Sequence, residues 1–142
     1  MQPVLNVEDI KRVEVSLTRV GVSVSELMHR AGYAAAQEVL NLGGSIDNVV
    51  VLAGMGNNGG DGWVAAEALR SRNVNVKVIT PIEPDQISGD LARQMAQRAV
   101  RSGVSVLVGP PKTELADLLS TTDAVLDCML GTGFRGKVRA PF

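Results

Sequence analysis

Four short apolar runs, separated by helical segments, limit this chain to a parallel α/β architecture. The first run, NVVVLA (48–53), is almost continuously apolar, as in a strand covered on both faces. VNVKVIT (74–80), VSVLVG (104–109) and DAVLDCML (123–130) repeat the pattern. Between them lie DGWVAAEALRSR (61–72), ISGDLARQMAQRAVRSG (87–103) and TELADLLSTT (113–122), all with helical character. Strand and helix in strict alternation imply right-handed crossovers and strands that run the same way.

Two more helices are expected before the first strand. NVEDIKRVEVSLTRVG (6–21) has Asn6 as a cap, Asp9 in its first turn, and Ile10, Val13, Leu17 and Val20 as an apolar stripe. SVSELMHRAGYAAAQEVLNLGG (23–44) opens on the Ser23–Glu26 capping box, carries Leu27, Met28, Ala31, Ala34 and Ala35 as its apolar stripe, and stops at Gly43-Gly44. The expectation is a three-layer α/β/α, Rossmann-like fold with strand order 3-2-1-4 and two leading helices. Strands 1 and 4 are then neighbours whose connections leave to opposite faces, and ligands bind at such a switch point.

The loops after those two strands, GMGNNGGDG (54–62) and GTGFRG (131–136), both fit G-x-G-x-x-G. One match is a weak signal; two at adjacent strand ends suit a nucleotide whose phosphates meet backbone N–H groups. Strand 2, however, ends at Thr80, where a dinucleotide fold needs an acidic residue for the ribose, and no hydride-transfer apparatus is visible. An ordinary NAD-dependent dehydrogenase is disfavoured. Asn57, Asn58, Asp61 and Asp127 instead offer amide and carboxylate oxygens at the same crevice, a set that suits a hard cation without choosing among potassium, sodium and magnesium. The bland alternatives are that Asp61 caps the following helix and that the two asparagines tolerate left-handed backbone.

Composition narrows the function further. A formal net charge of −1 and a pI near 5.8 give no basic footprint for nucleic acid. A single cysteine, Cys128, rules out an intramolecular disulfide and suits a reducing, cytoplasmic setting. No apolar run reaches the length of a membrane helix, and the first residues lack a signal-peptide pattern. Aromatic residues make up 3%, so the core must come from aliphatic side chains. His29 lacks partner ligands, and Cys128 and Trp63 read as core. Glu8, Asp9, Lys11 and Arg12 read as a solvated face, and Phe134 lies within the second glycine loop.

VVVLAGMGNNGGDGWVAAEAL with DAVLDCMLGTGFRG, and to a lesser degree VSELMHRAGYAAA, resembles the YjeF N-terminal domain family of NAD(P)H-hydrate epimerases. The resemblance covers nearly all of residues 1–142, although His29 stands where that family has an acid. It implies an isomerase that interconverts the R and S epimers of hydrated NADH and NADPH, in repair of nicotinamide cofactors. It also implies a dehydratase acting next, sometimes in the same polypeptide, and a bound potassium ion. By the same resemblance Asn58 and Asp127 match potassium ligands. Asn57, Asn58, Gly59, Gly60 and Asp61 match one substrate loop, and Gly131, Thr132, Gly133, Phe134, Arg135, Gly136 and Lys137 match the other. Arg135 and Lys137 are expected to add charge-assisted contacts to phosphate.

The family's VDIPSG-like motif, whose aspartate is its acid/base, has no counterpart in residues 1–142, so no catalytic residue is assigned and the domain is expected to be incomplete at its C-terminal end. Strand 4, apolar on both faces, is expected to be covered, as in a homodimer or another pairing through its edge. A non-catalytic scaffold of the same fold is the competing expectation, and intact NNGGDG and GTG loops argue against it.

Overall fold

The computed structural model describes residues 4–138. Two helices, α1 (Val7–Arg19) and α2 (Val24–Leu40), precede a four-stranded sheet. The strands are β1 (Asn48–Ala53), β2 (Asn75–Thr80), β3 (Ser105–Val108) and β4 (Ala124–Cys128). They are joined in turn by α3 (Asn57–Arg70), α4 (Asp90–Arg101) and α5 (Lys112–Ser120), with a single 3-10 turn at Pro84–Gln86. Every pairing is parallel and the order is β3-β2-β1-β4, as expected.

The leading helices start where their caps dictate. The Asn6 side chain accepts from the Asp9 N–H at 2.9 Å, and the Ser23 hydroxyl accepts from the Glu26 N–H at 3.1 Å. Their packing differs from expectation. The buried residues of α2 are Met28, Gly32, Ala36 and Val39, a stripe rotated from the one at Ala31 and Ala34, which stay exposed. Gly32 brings the backbone of α2 against Val64 of α3, and that close approach sets the rotation. In α1 no residue is buried; Val13 remains 49% exposed despite its place in the apolar stripe.

The core lies between one face of the sheet and the layer α2–α3–α4. Val49, Val51, Ala53, Val76, Val78 and Ala124 meet Trp63, Val64, Leu69, Met95 and Ala96 there. Trp63 is fully buried, as its reading as core requires. The return from β3 to β4 runs the other way across the sheet, and a right-handed crossover puts α5 on the opposite face. That third layer is thin, since α5 buries none of its residues. Among the described residues β4 is a sheet edge, bonded to β1 alone, and Val125 on its second face is half-exposed. At the other end of these strands the Asp123 carboxylate accepts from the N–H groups of Asp47 and Asn48 at 2.9 and 2.7 Å, which ties the start of β4 to the start of β1.

The start of α3 corrects the sequence reading. The segment after β1 is not a nine-residue loop: only Gly54, Met55 and Gly56 connect, and helix begins at Asn57. Asp61 is therefore the fifth residue of α3 and caps nothing, and Asn57 and Asn58 are helical rather than left-handed.

Candidate functional site

β1 and β4 end side by side, and the Gly54 N–H donates to the Cys128 carbonyl at 3.0 Å. Beyond these ends lies a cleft of about 810 Å³. Its floor is the start of α3, with Gly56, Asn57, Asn58 and Asp61. Met129 to Phe134 form one wall, and Ile10, Lys11 and Glu14 of α1 form the other. A second, more apolar cavity of about 450 Å³ opens between α1, α2 and α3 and shares Glu14, Asn57 and Asp61 with the first. Those three residues form the waist between the two spaces.

The glycines of NNGGDG hold this floor in place by letting backbones touch. A Cβ on Gly59 would collide with the Gly54 carbonyl oxygen, so the connection and the first turn of α3 pack directly on each other. One on Gly60 would lie 2.6 Å from the Met28 sulfur, and one on Gly62 would lie 2.8 Å from the Cys128 Cβ. Gly59 and Gly60 are buried and are absent from the cleft lining. They seat α3 against β1, β4 and α2 so that Asn57, Asn58 and Asp61 face the opening. Gly131 does the same from the opposite wall, where a Cβ would stand 3.0 Å from that of Asn58.

The N-terminus of α3 opens on the cleft. Gly56 supplies no side-chain cap, and no acidic residue lies in the first turn, so the early N–H groups are left for a ligand. Asp61 sits one turn deeper and half-buried. Burial first, and the nearby Glu14 carboxylate second, push its pKa from 3.8 up to about 6. Below about pH 6, where Asp61 takes up its proton, the repulsion between this carboxyl and a phosphate is relieved. Burial also pushes the Cys128 thiol up to about 11, so that cysteine is a neutral core group.

The predicted residues divide between those at the cleft and those away from it. Asn57, Asn58, Asp61, Gly131, Thr132, Gly133 and Phe134 line it together. Asp127 does not. It alternates with Cys128 along β4, so its side chain leaves the α3 side of the sheet, and its Oδ1 accepts from the Met129 N–H at 3.0 Å. Arg135 folds back on its own loop and donates to the carbonyls of Thr132 and Phe134 at 3.2 and 2.9 Å. Gly136 and Lys137 are exposed and outside the lining. The Thr80 hydroxyl donates to the Ile82 carbonyl at 3.2 Å, so the end of β2 offers no ribose acceptor there. His29 stacks on Tyr33 with ring centroids 6.2 Å apart. Among the described residues no three His, Cys, Asp or Glu side chains gather as metal ligands, and no helix is long and apolar enough to cross a membrane.

Sequence reasoning missed Ile10, Lys11, Glu14, Met55, Met129 and Leu130. Lys11 was placed on a solvated face. Its spacing with Ile10 and Glu14 puts all three on one side of a helix, but only the tertiary fold shows that this side meets the cleft.

Comparison with known proteins agrees with this geometry. Residues 24–142 match the family described as YjeF-related protein N-terminus. The chain is 32% identical over 143 residues to the NAD(P)H-hydrate epimerase of Cenarchaeum symbiosum, covering 97% of this chain and 63% of that one. To the NAD(P)H-hydrate epimerase of Pirellula staleyi it is 34% identical over 128 residues, 89% of this chain and 56% of that one. The bifunctional NAD(P)H-hydrate repair enzyme Nnr of Hyperthermus butylicus is 34% identical over 136 residues, and there the chain spans only 25% of its relative's length. A crystal structure of yeast YNL200c superposes with a TM-score of 0.83 at 27% identity, over 99% of this chain and 61% of that one. With the fold, the two glycine loops and the match in agreement, this chain belongs to the family of YjeF-related protein N-termini.

Proposed function

We propose that this chain forms the substrate-binding part of an NAD(P)H-hydrate epimerase domain spanning residues 1–142, and that the cleft takes hydrated NADH and NADPH. The observation that carries the proposal is the uncapped N-terminus of α3, with Asn57, Asn58 and Asp61 facing the Gly131–Phe134 wall at the β1/β4 switch point. The names of the relatives supply the substrate and the isomerase activity. Gly59, Gly60 and Gly131 act in this reading by holding the floor and wall at contact distance, while Arg135, Gly136 and Lys137 form the outer loop.

Epimerisation at the hydrated carbon requires a proton to reach the departing hydroxyl and to be taken back from water re-entering on the other face. Asp61 is the cleft carboxyl whose pKa burial raises to about 6, which brings its proton exchange closer to neutral pH. A potassium ion belongs to the same proposal. Asn58 offers an amide oxygen at the cleft, and Asp127 a carboxylate that faces away from α3, so a shared ion requires that carboxylate to turn toward the loop ends. An ion held there would offset negative charge on the substrate. Cytoplasmic residence fits the single buried thiol, and pairing with a second copy through the β4 edge fits the half-exposed Val125.

The test mixes the chain with the R epimer of NADPH-hydrate and an S-specific dehydratase. NADPH recovery above the spontaneous rate, enhanced by potassium, is the expected result. Binding without turnover would limit the chain to holding substrate. Indifference to NADPH-hydrate in calorimetry would overturn the proposal and favour a scaffold.

A further inference from the structure

The cleft of the proposed epimerase has a floor made of core elements and a wall that no core packing explains. α1 buries none of its residues, yet it places Ile10, Lys11 and Glu14 along the opening, across from Met129–Phe134. Lys11 is the only cation among the lining residues of the described chain. The cations expected from the second glycine loop lie elsewhere: Arg135 is spent on two carbonyls of its own loop, and neither it nor Lys137 reaches the lining. Meanwhile the floor of the same cleft presents the first N–H groups of α3 with no side-chain cap.

We propose that α1 is a substrate-contacting wall of this site and that Lys11 is the cation holding the substrate's pyrophosphate against the N-terminus of α3. The inference rests on the epimerase reading for its substrate and on the geometry for the residue. A lysine ammonium above a helix N-terminus encloses a phosphate between a charge and aligned N–H groups. The groups around it balance. Glu14, one turn along α1, faces Asp61 across the waist, where its charge is felt by that carboxyl. From α2, Val24, Leu27, Met28 and Ala31, all uncharged, come to the adjoining cavity. The position of the phosphate under Lys11 leaves the hydrated ring to reach the waist, beside Asp61 and the apolar lining of the second cavity.

The experiment compares the unaltered chain with Lys11→Gln, Lys11→Glu and Lys11→Arg in the coupled epimerase assay, and by calorimetric titration with NADPH-hydrate and NADH-hydrate. Losing one charge-assisted contact should raise KM and Kd by about tenfold for Lys11→Gln, more for Lys11→Glu, with most of the loss recovered by Lys11→Arg. The two substrates should suffer equally, because the pyrophosphate is common to both. The melting temperature should stay within about a degree, since α1 is not buried. Unchanged KM and Kd in Lys11→Gln, with the unaltered chain binding normally, would overturn this inference alone. A loss confined to NADPH-hydrate would move Lys11 to the 2′-phosphate and overturn the placement. Failure of the unaltered chain to bind either hydrate would overturn the epimerase reading and this inference with it.

Discussion

Asp61 shows how a single side chain links the cleft to the stability of the domain. Its pKa is raised from 3.8 to about 6, by burial and then by Glu14. A carboxyl raised on folding favours the fold while it is protonated, so its contribution is fully present below pH 3.8 and is lost as pH rises through about 6. Taken at about 1.4 kcal/mol per pH unit, holding the ionised form has a ceiling of about 3 kcal/mol, and partial exposure screens this to about 1 kcal/mol. Asp61→Asn should therefore stabilise the chain by about 1 kcal/mol at pH 7, while slowing any epimerase activity, and the gain should vanish near pH 4. Urea unfolding at both pH values measures it; an equal gain at both would mean that the carboxyl is not the source. Two neighbouring glycines offer a second contrast. At Gly59 an added methyl meets the Gly54 carbonyl, which is backbone and cannot yield, so Gly59→Ala should cost about 3 kcal/mol. At Gly60 it meets only the flexible end of Met28, and the better helix propensity of alanine offsets most of the strain, leaving Gly60→Ala within about 1 kcal/mol of the parent. Similar losses at the two positions would refute the packing argument.

At the scale of elements, what could be read from sequence depended on whether local pattern and tertiary packing agreed. β1 was read to the residue, because NVVVLA is apolar on both faces and is covered on both. The caps Asn6 and Ser23 were equally legible, since a cap is a local hydrogen bond. The start of α3 was misread because Asn and Gly are poor helix formers; here the glycines enter the helix for the contacts they permit with Gly54, Met28 and Cys128, partners far away in sequence. Asp127 was assigned to the crevice from its place near the strand end alone, but the pleat that sets Cys128 against α3 turns its neighbour the other way. The face of α1 that meets the cleft was invisible, because nothing in its periodicity says which neighbour it has. Its exposed Ile10, Val13 and Val20 stripe leads to an expectation of its own. Amides of α1 should exchange with solvent at least about 100-fold faster than those of β1, and a saturating nucleotide hydrate should slow α1 selectively. Uniform protection across α1 and β1 without ligand would refute it.

The whole molecule is lopsided. One face of the sheet carries α2, α3 and α4 and holds the core, while the other has only α5, which buries nothing. The ligand crevice opens at the strand ends, where β1, the most enclosed strand, meets β4, whose second face leaves Val125 half-exposed. The order of the strands, and with it the position of the crevice, followed from reading the alternation of segments as a Rossmann-like sheet. The completeness of the walls did not, because it depends on how α1 is laid across the opening.

That construction divides the cleft into two materials with different freedom to change. Its floor shares residues with the core, so a substitution that reshapes the glycine seam is filtered by folding before it is ever tested on a substrate. Its α1 wall is nearly free of that filter. Variation in how tightly a ligand is held can therefore accumulate at positions such as Ile10, Lys11 and Glu14 while NNGGDG stays fixed, and a library confined to one exposed helix is the economical route to a domain of altered affinity.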